Sequence, residues 1–217
     1  MSKTKVEIKS DGPVLEGSLE IPELSHPLPA VLLCHPHPLH GGDMNNKVLR
    51  LVGRKLTERG FAVLRFNFRG VGRSQGVHDA GVGEIDDARA AFSFLFSQKE
   101  VDNQRAFILG YSFGGMIAFS VAALEEKIKA VVGISPIHTD RVLAGCVKPT
   151  LIINGSNDQV VSSVSILKHI KSAGEYHEKK TELKTIEHAD HSWRGFEEEL
   201  GEMTADFFLR IGIPTSH

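Results

Sequence analysis

The chain has 217 residues, 41% of them hydrophobic and 24% charged, a balance that suits a globular protein with a sizeable core. Lysine plus arginine (25) nearly cancels aspartate plus glutamate (27), and no basic stripe develops, which argues against a nucleic acid or an anionic membrane held by charge. Two cysteines, Cys34 and Cys146, exclude a disulfide framework and a four-cysteine zinc site. The early charges at Lys3, Lys5 and Glu7 and the lack of a long apolar run point to a cytoplasmic protein with no membrane span.

Residues 4–9 and 14–21 alternate in polarity about the turn signal Ser10-Asp11-Gly12-Pro13 and read as an antiparallel pair. The continuous apolar run 30–34 reads as a strand buried on both faces. From there strands and helices alternate: a helix over 47–59, a strand over 61–67, a helix over 83–98, a strand over 105–109 and a helix from about Phe113 to Leu124. Strands over 128–134 and 149–153, a helix over 160–173, a strand over 182–186 and a last helix between Phe196 and Ile211 complete the pattern. This alternation implies a single α/β domain over 1–217, a mostly parallel sheet of about eight strands with helices on both faces. Its chemistry belongs in the loops at the carboxyl ends of the strands.

Gly110-Tyr111-Ser112-Phe113-Gly114 is a G-x-S-x-G pentapeptide between an apolar strand and a helical period, the setting in which a strained turn presents a serine nucleophile. A serine needs a base, and the base needs an acid to orient it. Asp158 follows a central strand in the turn Gly155-Ser156-Asn157-Asp158; it also reads as a helix N-cap, and Asp140 is the alternative acid. His188 and His191 compete for the base, and His191, three residues deeper in the last loop, is the better placed. Asp190 reads as a residue that fixes this loop.

An oxyanion hole needs two donors, and the residue after the nucleophile, Phe113, supplies one backbone N–H. The other is assigned to the backbone of His37, because Pro36 and Pro38 have no N–H to give. His35, His37 and His40, with Asp43, admit a metal-hydrolase alternative, although the prolines between them impose a path unlike a helical ligand pair; His35 reads instead as a loop-packing group. The loop from Arg69 to Ser74 lacks the lysine of a phosphate-binding loop and reads as a tight turn whose arginines anchor Asp86 or Asp87.

His35-Pro36-His37-Pro38 with Gly41-Gly42 and Met44-Asn45, the stretch from Arg65 to Ser74, Tyr111-Ser112-Phe113-Gly114 and Ala189-Asp190-His191 together resemble the small cap-less bacterial α/β-hydrolases of the dienelactone-hydrolase-like group. The resemblance implies an α/β-hydrolase fold, a Ser112-Asp158-His191 triad and esters of small carboxylic acids as substrates; no cofactor and no metal are expected. Dienelactone hydrolases use cysteine where this chain has Ser112, a departure that bears on lactone specificity. The elements leave no insertion for a helical lid, so an open, shallow pocket for short acyl or small aromatic esters is expected, and amide cleavage is not. A catalytically silent scaffold acting as a binding module is the remaining alternative.

Overall fold

The computed structural model describes residues 2–9, 11–25, 27–137 and 140–212; the side chains of Asp140, the alternative acid, and of Arg141 lie outside that description. The strands are β1 (Ser2–Ile8), β2 (Leu15–Ile21), β3 (Leu28–Cys34), β4 (Ala62–Phe66), β5 (Val101–Tyr111), β6 (Ile128–Ile134), β7 (Thr150–Gly155) and β8 (Thr181–Ile186). The helices are α1 (Lys47–Glu58), α2 (Val82–Phe96), α3 (Phe113–Leu124), α4 (Asp140–Gly145), α5 (Ser163–Ser172), α6 (Glu175–Lys180) and α7 (Glu197–Gly212). The six-residue helices α4 and α6 were not expected, being too short to show a period in sequence.

The strands lie in the order β1-β2-β4-β3-β5-β6-β7-β8. β1 and β2 are antiparallel to their neighbours and form one edge; the pairs from β4 to β8 are parallel. Alternation along each strand divides the core. Leu32, Leu64, Ile108 and Ile152 face one side with Phe92 of α2, Ile117 of α3 and Ile166 of α5. Val31, Val63, Phe107 and Ile153 face the other with Leu49 and Val52 of α1 and Phe208 of α7. Both faces are covered, as continuous apolar strands require.

The chain leaves β3 toward β4 on one side and returns to β5 on the other. The sheet therefore switches direction between β3 and β5, and a crevice opens outside their carboxyl ends. Among the described residues, the segments that follow β3, β4, β7 and β8 at this edge are loops, with one short 3-10 turn at Pro38–His40, and none is long enough to form a helical cap; Leu143 of α4 lies in the core with α3 and α5.

Candidate active site

β5 ends at Tyr111 and α3 begins at Phe113, so Ser112 alone makes the turn from strand to helix. Its φ of 55° is a value that residues with a Cβ seldom adopt. Main-chain bonds hold it there. The Ser112 N–H donates to Ile134 O (2.9 Å), and its carbonyl accepts the N–H groups of Gly115 (2.9 Å) and Ile137 (3.0 Å). The turn is so tight that a Cβ on Gly110 would lie 1.9 Å from the carbonyl oxygen of Gly114.

This turn faces Ser112 Oγ toward His191, whose Nε2 is 3.1 Å away. The other ring nitrogen, Nδ1, stands 2.9 Å from Asp158 Oδ2. The His191 carbonyl accepts the Tyr111 hydroxyl, which ties the loop after β8 to the strand that leads into Ser112. Burial, aided by the nearby Asp158 and Asp190 charges, pushes the Tyr111 phenol up to about 12, so it remains a neutral donor.

Asp158 has a fully buried side chain and accepts four hydrogen bonds. Oδ1 takes the N–H groups of Val160 (2.9 Å) and Val161 (2.8 Å), and Oδ2 takes His191 Nδ1 and the Ser135 hydroxyl (2.6 Å). Burial pushes the carboxyl up, but the bonds from His191, Ser135 and Val161 outweigh it and hold Asp158 below the usual carboxylate range. Asp158 is not the cap of the following helix: Ser162 caps α5 by accepting the Ser165 N–H. His188 is exposed and bonds through its backbone N–H to Ser156 Oγ. Asp190 Oδ1 accepts both the N–H and the hydroxyl of Ser192, fixing the loop as expected.

The loop after β3 is set by His35, which is fully buried, with Nδ1 2.7 Å from Pro36 O and Nε2 accepting the Phe68 N–H at 3.1 Å. Both of its ring nitrogens are therefore engaged, and His35 cannot serve the metal alternative. Asp43 Oδ1 accepts the Asn45 N–H, and among the described residues no three His, Cys, Asp or Glu side chains converge as metal ligands. His37 Nδ1 accepts the Leu39 N–H, and its ring lies 4.9 Å from that of Phe113 between centroids. The two residues assigned as oxyanion donors are thus packed against each other through their side chains.

The stretch from Arg65 to Ser74 braces this loop. Arg65 Nη1 donates to Met44 O, Asn67 Oδ1 accepts the Met44 N–H, and Arg69 grips Asp87 with its side chain and its backbone N–H. The expectation for the remaining charges is corrected: Asp86 faces Arg89, and Arg73 is held through its backbone N–H by Glu16.

Two buried residues that sequence reasoning missed join the site. Ser135, directly after β6, donates to Asp158, and Trp193, two residues beyond His191, donates from Nε1 to Ser135 Oγ at 3.0 Å. Pro136, Ile137, Val160 and Val161 line an open trough of about 480 Å³, with Ser165 and His169 also in its wall; Ser112 and His191 do not line it, and its link to Ser112 is the Ile137 N–H on the Ser112 carbonyl.

Residues 29–146 match a family model described as alpha/beta hydrolase fold, and residues 93–205 match another described as alpha/beta hydrolase family; each spans more than half of the chain. The chain belongs to the alpha/beta hydrolases. A curated relative, protein RP471 of Rickettsia prowazekii, is 39% identical over 84% of this chain and 79% of its own length. The solved structure of XC6422 from Xanthomonas campestris, described as an a/b serine hydrolase without lid, aligns with a TM-score of 0.81 at 25% identity, covering 99% of this chain and 97% of that one. Esterase EstD of Thermotoga maritima is 32% identical over 56% of this chain and 30% of its own length. A cap-less alpha/beta hydrolase is the setting for the geometry above.

Proposed function

We propose that this alpha/beta hydrolase cleaves carboxylic esters of small or short-chain acids through an acyl-enzyme on Ser112. The observation that carries the reading is the placement of one imidazole, with Nε2 3.1 Å from Ser112 Oγ and Nδ1 2.9 Å from Asp158 Oδ2. His191 takes the hydroxyl proton as Ser112 Oγ bonds to the ester carbonyl carbon, and the N–H groups of Phe113 and His37 receive the carbonyl oxygen as it becomes negative. Collapse breaks the ester C–O bond, and His191 returns the proton to the leaving alkoxide. A water then attacks the acyl group, giving its proton to His191, and the acid departs as Ser112 is restored.

The lack of a helical cap among the described residues and the match to an esterase support short esters over long lipids. The buried free thiols of Cys34 and Cys146 support a cytoplasmic setting, and no helix among the described residues is long and apolar enough to cross a membrane. The silent-scaffold alternative leaves the intact hydrogen-bond chain without a purpose.

A fluorophosphonate should label Ser112 in the wild type and nothing in Ser112→Ala. A panel of p-nitrophenyl esters should then give falling kcat/KM as the acyl chain lengthens. A wild type that resists the probe, or equal labelling in Ser112→Ala, would overturn the reading.

A further inference from the structure

We propose that Ser135, oriented by Trp193, is a positioning residue that aims the Asp158 carboxylate at His191 and shares its negative charge. The inference rests on the Ser112, His191 and Asp158 reading above.

The direction of each bond follows from chemistry without sight of a hydrogen. An indole N–H can only donate and an ionised carboxylate can only accept. Trp193 Nε1 is 3.0 Å from Ser135 Oγ, and Ser135 Oγ is 2.6 Å from Asp158 Oδ2. The Ser135 proton must therefore lie toward Asp158. The donated indole proton polarises the hydroxyl and strengthens its own bond. Both residues are fully buried, so no water competes.

The backbone repeats the point. Among the described residues, five that are not glycine have positive φ, and three of them, Ser112, Ser135 (40°) and Trp193 (58°), belong to this one chain of bonds. Such conformations persist where the surroundings over-determine them, and they cluster at functional sites. Ser135 is held by its N–H on Ile153 O (2.8 Å), and its neighbours Ile134 and Ile137 bond the main chain of Ser112. The segment 134–137 thus registers the nucleophile's backbone and the acid's carboxylate together, while Trp193 ties the base's loop to the same point.

Oδ2 divides its charge between the Ser135 hydroxyl and His191 Nδ1. The ionisable groups bonded to His191 are Asp158 from the β7 loop and the neutral Tyr111 from β5; Asp190, its neighbour in the chain, bonds Ser192 and its charge bears on Tyr111. Removing the Ser135 hydroxyl leaves more of the Asp158 charge for the imidazolium, so a higher pH is needed to free the base.

The test is the second-order rate of fluorophosphonate labelling of the full chain between pH 5 and 9, in wild type, Ser135→Ala, Trp193→Phe and the double variant. Ser135→Ala should slow labelling about tenfold and move the acid limb of the profile upward. Trp193→Phe, which keeps an aromatic ring, though a smaller one, and loses the N–H, should shift it the same way by less. The double variant should be no slower than Ser135→Ala, because the indole acts through the hydroxyl. Single losses that multiply in the double variant, with an unmoved acid limb, would reduce Ser135 to packing and overturn the proposal. If Ser135→Ala fails to melt cooperatively, the acid limb of Trp193→Phe decides alone: an upward shift supports the proposal and an unmoved limb overturns it. An unlabelled wild type would remove the proposed function and this inference with it, whereas a labelled wild type with multiplying losses removes this inference alone.

Discussion

Gly114 approaches the end of β3 so closely that a Cβ on it would stand 2.2 Å from the carbonyl oxygen of Cys34. The contact is backbone on backbone, so neither side can yield by rotating a side chain. It docks the first turn of α3 onto the strand whose following loop carries His37. The Phe113 N–H and that loop are registered by this one close approach.

Gly114→Ala should therefore do more harm than its helix propensity suggests. Alanine favours a helix by about 1 kcal/mol over glycine, yet overpacking costs about 1–3 kcal/mol and here displaces main chain. We expect a lower urea midpoint and at least tenfold slower ester turnover. A variant as stable and active as the wild type would refute the docking role.

His35 makes the fold sensitive to acid. Burial lowers its pKa to about 4, against the opposing pull of the Pro36 carbonyl, Asp43 and Glu84. The folded protein keeps the ring neutral while the unfolded chain takes up a proton near pH ~6.5, so stability falls as pH drops from there to about 4. The slope reaches about 1.4 kcal/mol per pH unit from this group. Protonation would also set Nε2–H against the Phe68 N–H that it now accepts. Urea denaturation at pH 7, 6 and 5 should show a shallower loss in His35→Leu than in the wild type, although that variant starts less stable.

The loops that carry Ser112, Asp158 and His191 were legible because each follows an apolar strand, and Ser112 sits in a local strand-to-helix signal. The strand expected over 105–109 starts earlier, at Val101, which pairs with Leu28; the polar residues 102–105 carry no apolar run and left this first part unmarked in the sequence. The insertion of β4 between β2 and β3 has no local mark, since strand order depends on crossovers. Ser135 and Trp193 escaped notice for a related reason. A serine before a proline reads as a turn, and a lone tryptophan reads as core; their bond exists only after three separate loops converge. Asp158 showed its chemistry through position alone, because its four donors come from the β6 and β8 loops as well as its own.

Asp158→Asn tests what those four donors imply. An amide keeps the size of the carboxylate but offers one oxygen, and its NH₂ must face either the Val160 and Val161 N–H groups or the pair formed by Ser135 and His191. Either choice sets donor against donor or turns the imidazole to the wrong tautomer. We expect kcat to fall by about 10³–10⁴ with a small change in KM. Loss of less than tenfold, measured on a short p-nitrophenyl ester, would show that Asp158 does not orient the base.

His37 gives the most selective test, because its side chain and its backbone predict opposite outcomes. The ring accepts the Leu39 N–H and packs on Phe113, and burial, followed by the charges of His40 and His78, lowers its pKa and favours the neutral form. None of these contacts asks it to move a proton, whereas the proposed mechanism uses its backbone N–H. His37→Ala keeps that N–H and should reduce kcat by less than about tenfold, most of it through looser packing at Phe113. Loss of one oxyanion donor typically costs about 10²–10³, and His37→Pro, which removes the N–H, should approach that figure. A third consecutive proline also stiffens the loop, so both variants need a thermal melt matching the wild type before rates are compared. If a well-folded His37→Ala lost all turnover, the imidazole itself would take part in the chemistry and the assignment of the second oxyanion donor would fall.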